Sequence, residues 1–104
     1  MDRKQLQDIT STIIKKFKPK RVVLFGSHAR GEAGEDSDLD LFVEMESDRR
    51  PPERAIEVSA VFGLRPWSLD VVVYTPAEVA RLKKVPGTLL SIIEAEGEVL
   101  YERL

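Results

Sequence analysis

The stretch from Val22 to Val43, VVLFGSHARGEAGEDSDLDLFV, holds the side chains best suited to chemistry. Asp38 and Asp40 are separated by Leu39. In a strand, alternation puts the two carboxylates on one face and Leu39, Leu41 and Val43 on the other. Two such charges about 4 to 5 Å apart repel by roughly 3 to 4 kcal/mol at an effective dielectric near 20. A divalent cation removes that cost. The short, hard-oxygen Asp side chain suits Mg²⁺ held by a few carboxylates together with substrate phosphates.

Upstream, Val22-Val23-Leu24-Phe25 reads as a buried strand, followed by Gly26-Ser27 where the backbone must turn sharply and expose N–H groups. Such a turn is an anion cradle: Gly26 lets a phosphate approach the main chain, Ser27 adds a hydroxyl donor, and the turn from His28 to Arg30 directs helix N-terminal dipoles to the same place. Phosphates and a Mg²⁺ site are thereby expected to face each other. Two other motifs fail on inspection. Gly26-x-x-x-x-Gly31 begins like a P-loop, but Glu32-Ala33 replaces the phosphate lysine and the magnesium hydroxyl. Asp36-x-Asp38-x-Asp40 begins like an EF-hand loop, but Leu41 and Ser47 stand where Gly and Glu are required.

Gly26-Ser27, ten residues, then Asp38-x-Asp40, with Ala29-Arg30-Gly31 between and a later strand acid, Asp70, resembles the nucleotidyltransferases of the DNA polymerase β superfamily. More narrowly it is similar to the minimal nucleotidyltransferases, short single-domain proteins often paired as antitoxins with a HEPN-domain partner. The resemblance extends over nearly the whole chain. It implies a small mixed sheet covered by helices, and two Mg²⁺ ions. One would be shared by Asp38, Asp40 and Asp70, with Asp70 helping to remove the nucleophile's proton; the other would bridge Asp38 and Asp40 to the triphosphate. Gly26 and Ser27 would bind the β and γ phosphates. Attack at the α phosphorus would release pyrophosphate, moving AMP from ATP to a hydroxyl, expected to be a tyrosine of a HEPN-type toxin in a hetero-oligomer. Two other readings stay open: a binding module that neutralises its partner by covering it, and a catalytic subunit that modifies a small hydroxylated molecule.

Composition narrows the class. At 104 residues the chain is read as one domain, residues 1–104, with 42% hydrophobic and 33% charged residues, the balance of a folded globular protein. The net charge of −2 argues against a general nucleic-acid coat, and the lack of cysteine excludes a disulfide framework or thiolate metal site. The amino terminus has no apolar signal core and no run is long enough to span a membrane, so a cytoplasmic location is expected.

The elements that must position these residues are legible by period. Leu6, Ile9, Ile13 and Phe17 predict an amphipathic helix over 3–17, ended by Pro19 and expected to cover one face of the sheet. The Lys15, Lys16, Lys18, Lys20 and Arg21 run at its end reads as a solvated helix terminus. Strands are expected over 21–26 and 38–45, joined by a polar, mobile loop with Gly31, Gly34, Glu32, Glu35 and Asp36. Pro51-Pro52 starts a helix carrying Ala55, Val58 and Phe62 as far as Gly63. Trp67 to Tyr74 reads as a third strand with Asp70 as its anomalous acid. Thr75-Pro76-x-Glu78 is a capping box and helix start, Pro86-Gly87 breaks that helix, and Leu89 to Ile93 carry another as far as Gly97. Glu98 to Tyr101 is either an edge strand or a tail. The expected order is α-β-β-α-β-α-α in an α/β (α+β) layered fold.

Three residues near the motif carry open roles. Arg30 either touches phosphate or braces the acidic cluster by a bidentate ion pair. His28, the only histidine, reads as turn filler, and Trp67 as core.

Overall fold

A computed structural model describes residues 2–34 and 37–103, so the loop acids Glu35 and Asp36 lie outside the described residues. Among the described residues nine elements follow one another: α1 (Arg3–Phe17), β1 (Arg21–Phe25), α2 (Gly26–Arg30), β2 (Leu39–Glu44), α3 (Pro51–Ala60), β3 (Leu69–Tyr74), α4 (Pro76–Leu82), α5 (Leu89–Glu96) and β4 (Glu98–Glu102). The expected order lacked α2 as a separate element, and the carboxyl-terminal segment is an edge strand, not a tail.

Local chemistry explains the boundaries. The Asp2 carboxylate accepts from the Gln5 N–H at 2.8 Å and the Gln5 side chain accepts from the Asp2 N–H at 3.2 Å, a capping box that starts α1. Lys18, at φ 50°, ends it. The same device opens α4, where Thr75 and Glu78 exchange hydrogen bonds of 2.8 and 3.2 Å.

The sheet order is β3-β2-β1-β4. β1 runs antiparallel to both β2 and β4, while β2 and β3 are parallel and joined through α3. One face packs Val22, Leu24, Leu39, Leu41, Val43, Val71 and Val73 against Leu6, Ile9 and Ile13 of α1 and Val58 of α3. The other packs Val23, Phe25 and Phe42 against Val79 of α4 and Leu90 and Ile93 of α5. Both faces are covered, so the central strands read as continuous apolar runs rather than alternating ones. Among the described residues no helix is long and apolar enough to cross a membrane.

Candidate active site

The parallel pairing of β2 with β3 sets Asp40 directly opposite Asp70. In-register partners in a parallel sheet project to the same face, here the α4/α5 face that Phe42 also occupies. The Leu39 N–H donates to the Ser68 carbonyl at 2.8 Å and pins the starts of the two strands together. Asp38, exposed, immediately precedes β2 and precedes Asp40 by two residues. The three predicted acids therefore gather at one end of the sheet.

Their charges are felt. The Asp40 carboxyl is held above its ordinary value, first by burial and then by the negative charges of Asp70 and Asp38, which outweigh the opposing pull of His28 and Arg30. Among the described residues, none of the three acids forms an ion pair with a Lys, Arg or His side chain.

Gly26 closes the site from the β1 side. Phe25 is the register partner of Asp40, and the chain then turns into α2 with Gly26 at φ 73°. A Cβ at position 26 would lie 2.9 Å from Asp40 Cγ and 3.1 Å from Asp40 Cβ, with the carboxylate oxygen nearer still. Only glycine combines that φ with so close an approach. Ser27, half-buried, is the next residue of α2. The predicted Gly26-Ser27 turn and the predicted acids thus meet.

Arg30 does not brace the aspartates. Its Nε donates to Glu32 at 3.2 Å and its Nη1 to Glu96 at 3.1 Å. Of the two roles expected for Arg30, a phosphate contact or a brace for the acidic cluster, the ion pairs seen are of the bracing kind but go to Glu32 and Glu96. Glu96 is 66 residues away at the end of α5, and no local pattern in the sequence points to it. His28 Nε2 lies 3.5 Å from the Ser37 carbonyl, consistent with a loop-packing role. Trp67 is partly buried against the α1-side core, 5.7 Å from the Phe62 ring, with the Arg65 guanidinium 5.2 Å from its own.

The acids are neighbours without being a finished metal cage: among the described residues no three His, Asp or Glu side chains stand in metal-holding geometry. The donor chemistry nevertheless fits a hard divalent cation. Adjacent unpaired carboxylates, one of them half-buried and raised by its neighbours, favour a positive charge between them. Such a cation commonly completes its shell with water and phosphate oxygens.

Comparison with known proteins bears on the family and the fold. The sequence model of the nucleotidyltransferase domain matches residues 6–102. The chain belongs to that family. A putative protein adenylyltransferase of Methanocaldococcus jannaschii is 50% identical to this nucleotidyltransferase domain over 36 residues, 35% of this chain and 36% of that relative. The match thus spans about a third of the relative's length. Among solved structures, a putative nucleotidyltransferase from Sulfolobus solfataricus superposes with a TM-score of 0.65 at 22% identity, covering 96% of this chain and 79% of the other. A toxin–antitoxin structure with AMP-PNP gives 0.61 at 19% identity, covering 93% and 73%. A mutant of the toxin–antitoxin MntA–HpeT gives 0.59 at 16% identity, covering 99% and 75%. At these identities the likeness is one of fold.

Proposed function

We propose that this nucleotidyltransferase domain transfers AMP from ATP to a hydroxyl group of a partner protein, using Asp38, Asp40 and Asp70. The observation that supports this most is the in-register pair Asp40 and Asp70, without a cation partner among the described residues and with Gly26 close against Asp40. Asp38, Asp40 and Asp70 would hold two Mg²⁺ ions, which when bound supply positive charge to the phosphates and make a hydroxyl more acidic. Gly26 and Ser27 orient the β and γ phosphates through the main chain and the Ser27 hydroxyl. Arg30 reaches a phosphate by exchanging Glu32 for it. Asp70 takes the proton of the acceptor hydroxyl. The acceptor oxygen bonds to the α phosphorus as the bond from that phosphorus to the β-phosphate oxygen breaks, and pyrophosphate leaves.

The proposed partner is a HEPN-type toxin with a tyrosine acceptor, and the chain is its antitoxin. Support comes from the two toxin–antitoxin neighbours and the adenylyltransferase relative. The test is label from α-labelled ATP, with Mg²⁺, onto a co-expressed HEPN protein. Label is expected with the native chain and lost with Asp40→Asn.

One observation favours a second reading, a binding module that neutralises by covering: the acids do not converge in metal-holding geometry among the described residues. That reading is adopted if no label appears on the partner while Asp40→Asn still neutralises it.

A further inference from the structure

Crossing the sheet at the level of the acids, one meets Gly26 at the end of β1, Asp40 on β2, Asp70 on β3, and then the free edge of the sheet. Along that edge, on the α3 side, lies a cleft of about 410 Å³ lined by Ala55, Ile56 and Ala60 of α3, by Arg65, and by Asp70 and Val71 of β3. We infer that this cleft docks the acceptor: an extended segment of the partner protein, carrying an apolar side chain and an acidic one beside the hydroxyl that is modified. The inference rests on the transferase reading for the reaction, and on the cleft alone for the docking.

Three observations specify the occupant. The first is the backbone. The Ser68 and Tyr74 carbonyls accept from Leu39 and Met45 on the β2 side. Alternation then turns the main-chain groups of Leu69, Val71 and Val73 outward. Among the described residues the fold covers only the far one itself: Arg54 Nη1 donates to the Val73 carbonyl at 3.4 Å. The others are a template for one more strand, and strand addition is a common way to hold a peptide.

The second is the apolar wall. Ile56 is 69% exposed and Leu64, between the lining residues Gly63 and Arg65 in the chain, is fully exposed, although each is large and hydrophobic. A triphosphate would not select such a surface; an apolar side chain would.

The third is charge. Arg65 stacks on Trp67 and donates Nη1 to the Gly63 carbonyl at 3.0 Å, but pairs with no carboxylate among the described residues, and its buried Nε has no partner. A carboxylate on the docked segment complements it. The placement also suits the reaction. The cleft lies on the α3 side of β3 while Asp40 and Asp70 project to the other face, so on an added strand alternation turns the apolar side chain toward α3 and the adjacent hydroxyl toward the acids.

The test titrates the isotope-labelled full chain with short synthetic peptides containing a central tyrosine, flanked by leucine and either glutamate or lysine, and follows amide shifts by NMR. Shifts at Ile56, Ala60, Leu69 and Val71 are expected, with the glutamate peptide binding more tightly. Ile56→Glu, at an exposed position, should weaken binding at least about tenfold. Arg65→Gln should erase the glutamate preference. The inference is overturned if no peptide binds, if the shifts gather elsewhere, or if the cleft is filled by a second copy of the chain. AMP transfer to the same peptides is measured separately. Docking in the cleft without transfer overturns the transferase reading alone; transfer that Ile56→Glu leaves unchanged overturns the docking alone.

Discussion

One face of β2 carries an acid near each end, Asp40 and Glu44, with Phe42 between them. Glu44 is 3% exposed, and the fold answers its charge fully: Arg21 Nε lies 3.1 Å away and Lys20 Nζ 3.8 Å. Arg21 in turn pairs with Glu94 and lies over the Phe42 ring. Asp40 is less buried, yet its neighbours across the sheet and along the chain are Asp70 and Asp38, and no cation within the described residues pairs with it. The same strand thus holds one carboxylate whose compensation is built in and one whose compensation is withheld. Since a chain can place a lysine or arginine beside an acid, as at Glu44, the deficit at Asp40 points to positive charge supplied from outside.

The largest effect expected from breaking this contrast is on activity. Asp40→Asn should lower nucleotidyl transfer on the order of 10³-fold, the scale of removing a group that organises transition-state charge, while leaving a folded protein. Measured as label transferred from ATP, a loss of only a few-fold would place Asp40 outside the chemistry. At the other end, Arg21→Met strands Glu44 with Lys20 alone. Because one partner of a buried pair is lost but Lys20 remains, the expected cost is about 2 to 3 kcal/mol. That corresponds to a fall in Tm of roughly 10 °C or more for a domain of this size, with transfer intact at temperatures where the variant is folded. Calorimetry checks it.

That contrast was only half legible in the sequence. Asp38, Asp40 and the Gly26-Ser27 turn stand out because they interrupt apolar strands at a fixed spacing, and α1 stands out because Leu6, Ile9 and Ile13 keep a helical period and bury fully. The Thr75 to Glu78 capping box was also local and forms as read. Glu44 carries a comparable signal, an acid inside the run LDLFVEM, but its meaning depends on Arg21 across the antiparallel pair, 23 residues earlier. Arg54 pairing with Glu78 and Arg30 with Glu96 are likewise products of tertiary placement. Strand direction was invisible to periodicity, which is the same in parallel and antiparallel strands; the mixed sheet was expected from the family resemblance, and the crossover through α3 makes Asp40 and Asp70 register partners.

A smaller effect sharpens the same comparison through the backbone. Gly26→Ala forces an L side chain into φ 73° and drives its methyl group onto the Asp40 carboxylate. The conformational part alone costs about 1 to 2 kcal/mol, and displacement of the carboxylate should weaken ATP-dependent transfer as well. Gly31 has the same φ but open space around it. Gly31→Ala should therefore show the conformational loss in Tm without the loss of transfer. Equal transfer by the two variants would mean that the contact between Gly26 and Asp40 has no part in the site.

The smallest effect is the most diagnostic, because its sign is opposite at Asp40 and at Glu78 of α4. Folding raises the Asp40 pKa, so the folded protein holds that proton more tightly than the unfolded chain. The group's favourable contribution is complete below the ordinary aspartate value and is lost as pH rises through the folded one. At neutral pH the ionised carboxylate then opposes folding, and Asp40→Asn should raise Tm in metal-free buffer. The gain should be on the order of 0.5 kcal/mol, since solvent screens a part-exposed group, or about 2 to 4 °C. It should vanish in acid, and in the native chain Mg²⁺ should recover part of it by relieving the same repulsion. Glu78 behaves in the reverse sense. Burial alone would push it up, but hydrogen bonds from Arg54 and Thr75 outweigh burial and hold it below its ordinary value. Its contribution is therefore present above the ordinary glutamate value and lost as pH falls through the lowered one. Thermal melts of native, Asp40→Asn and Glu78→Gln chains across acid to neutral pH should show the first substitution gaining stability as pH rises and the second losing it. If Asp40→Asn melts lower than the native chain at neutral pH without metal, the acids at that end are already compensated from within, and the contrast with Glu44 disappears.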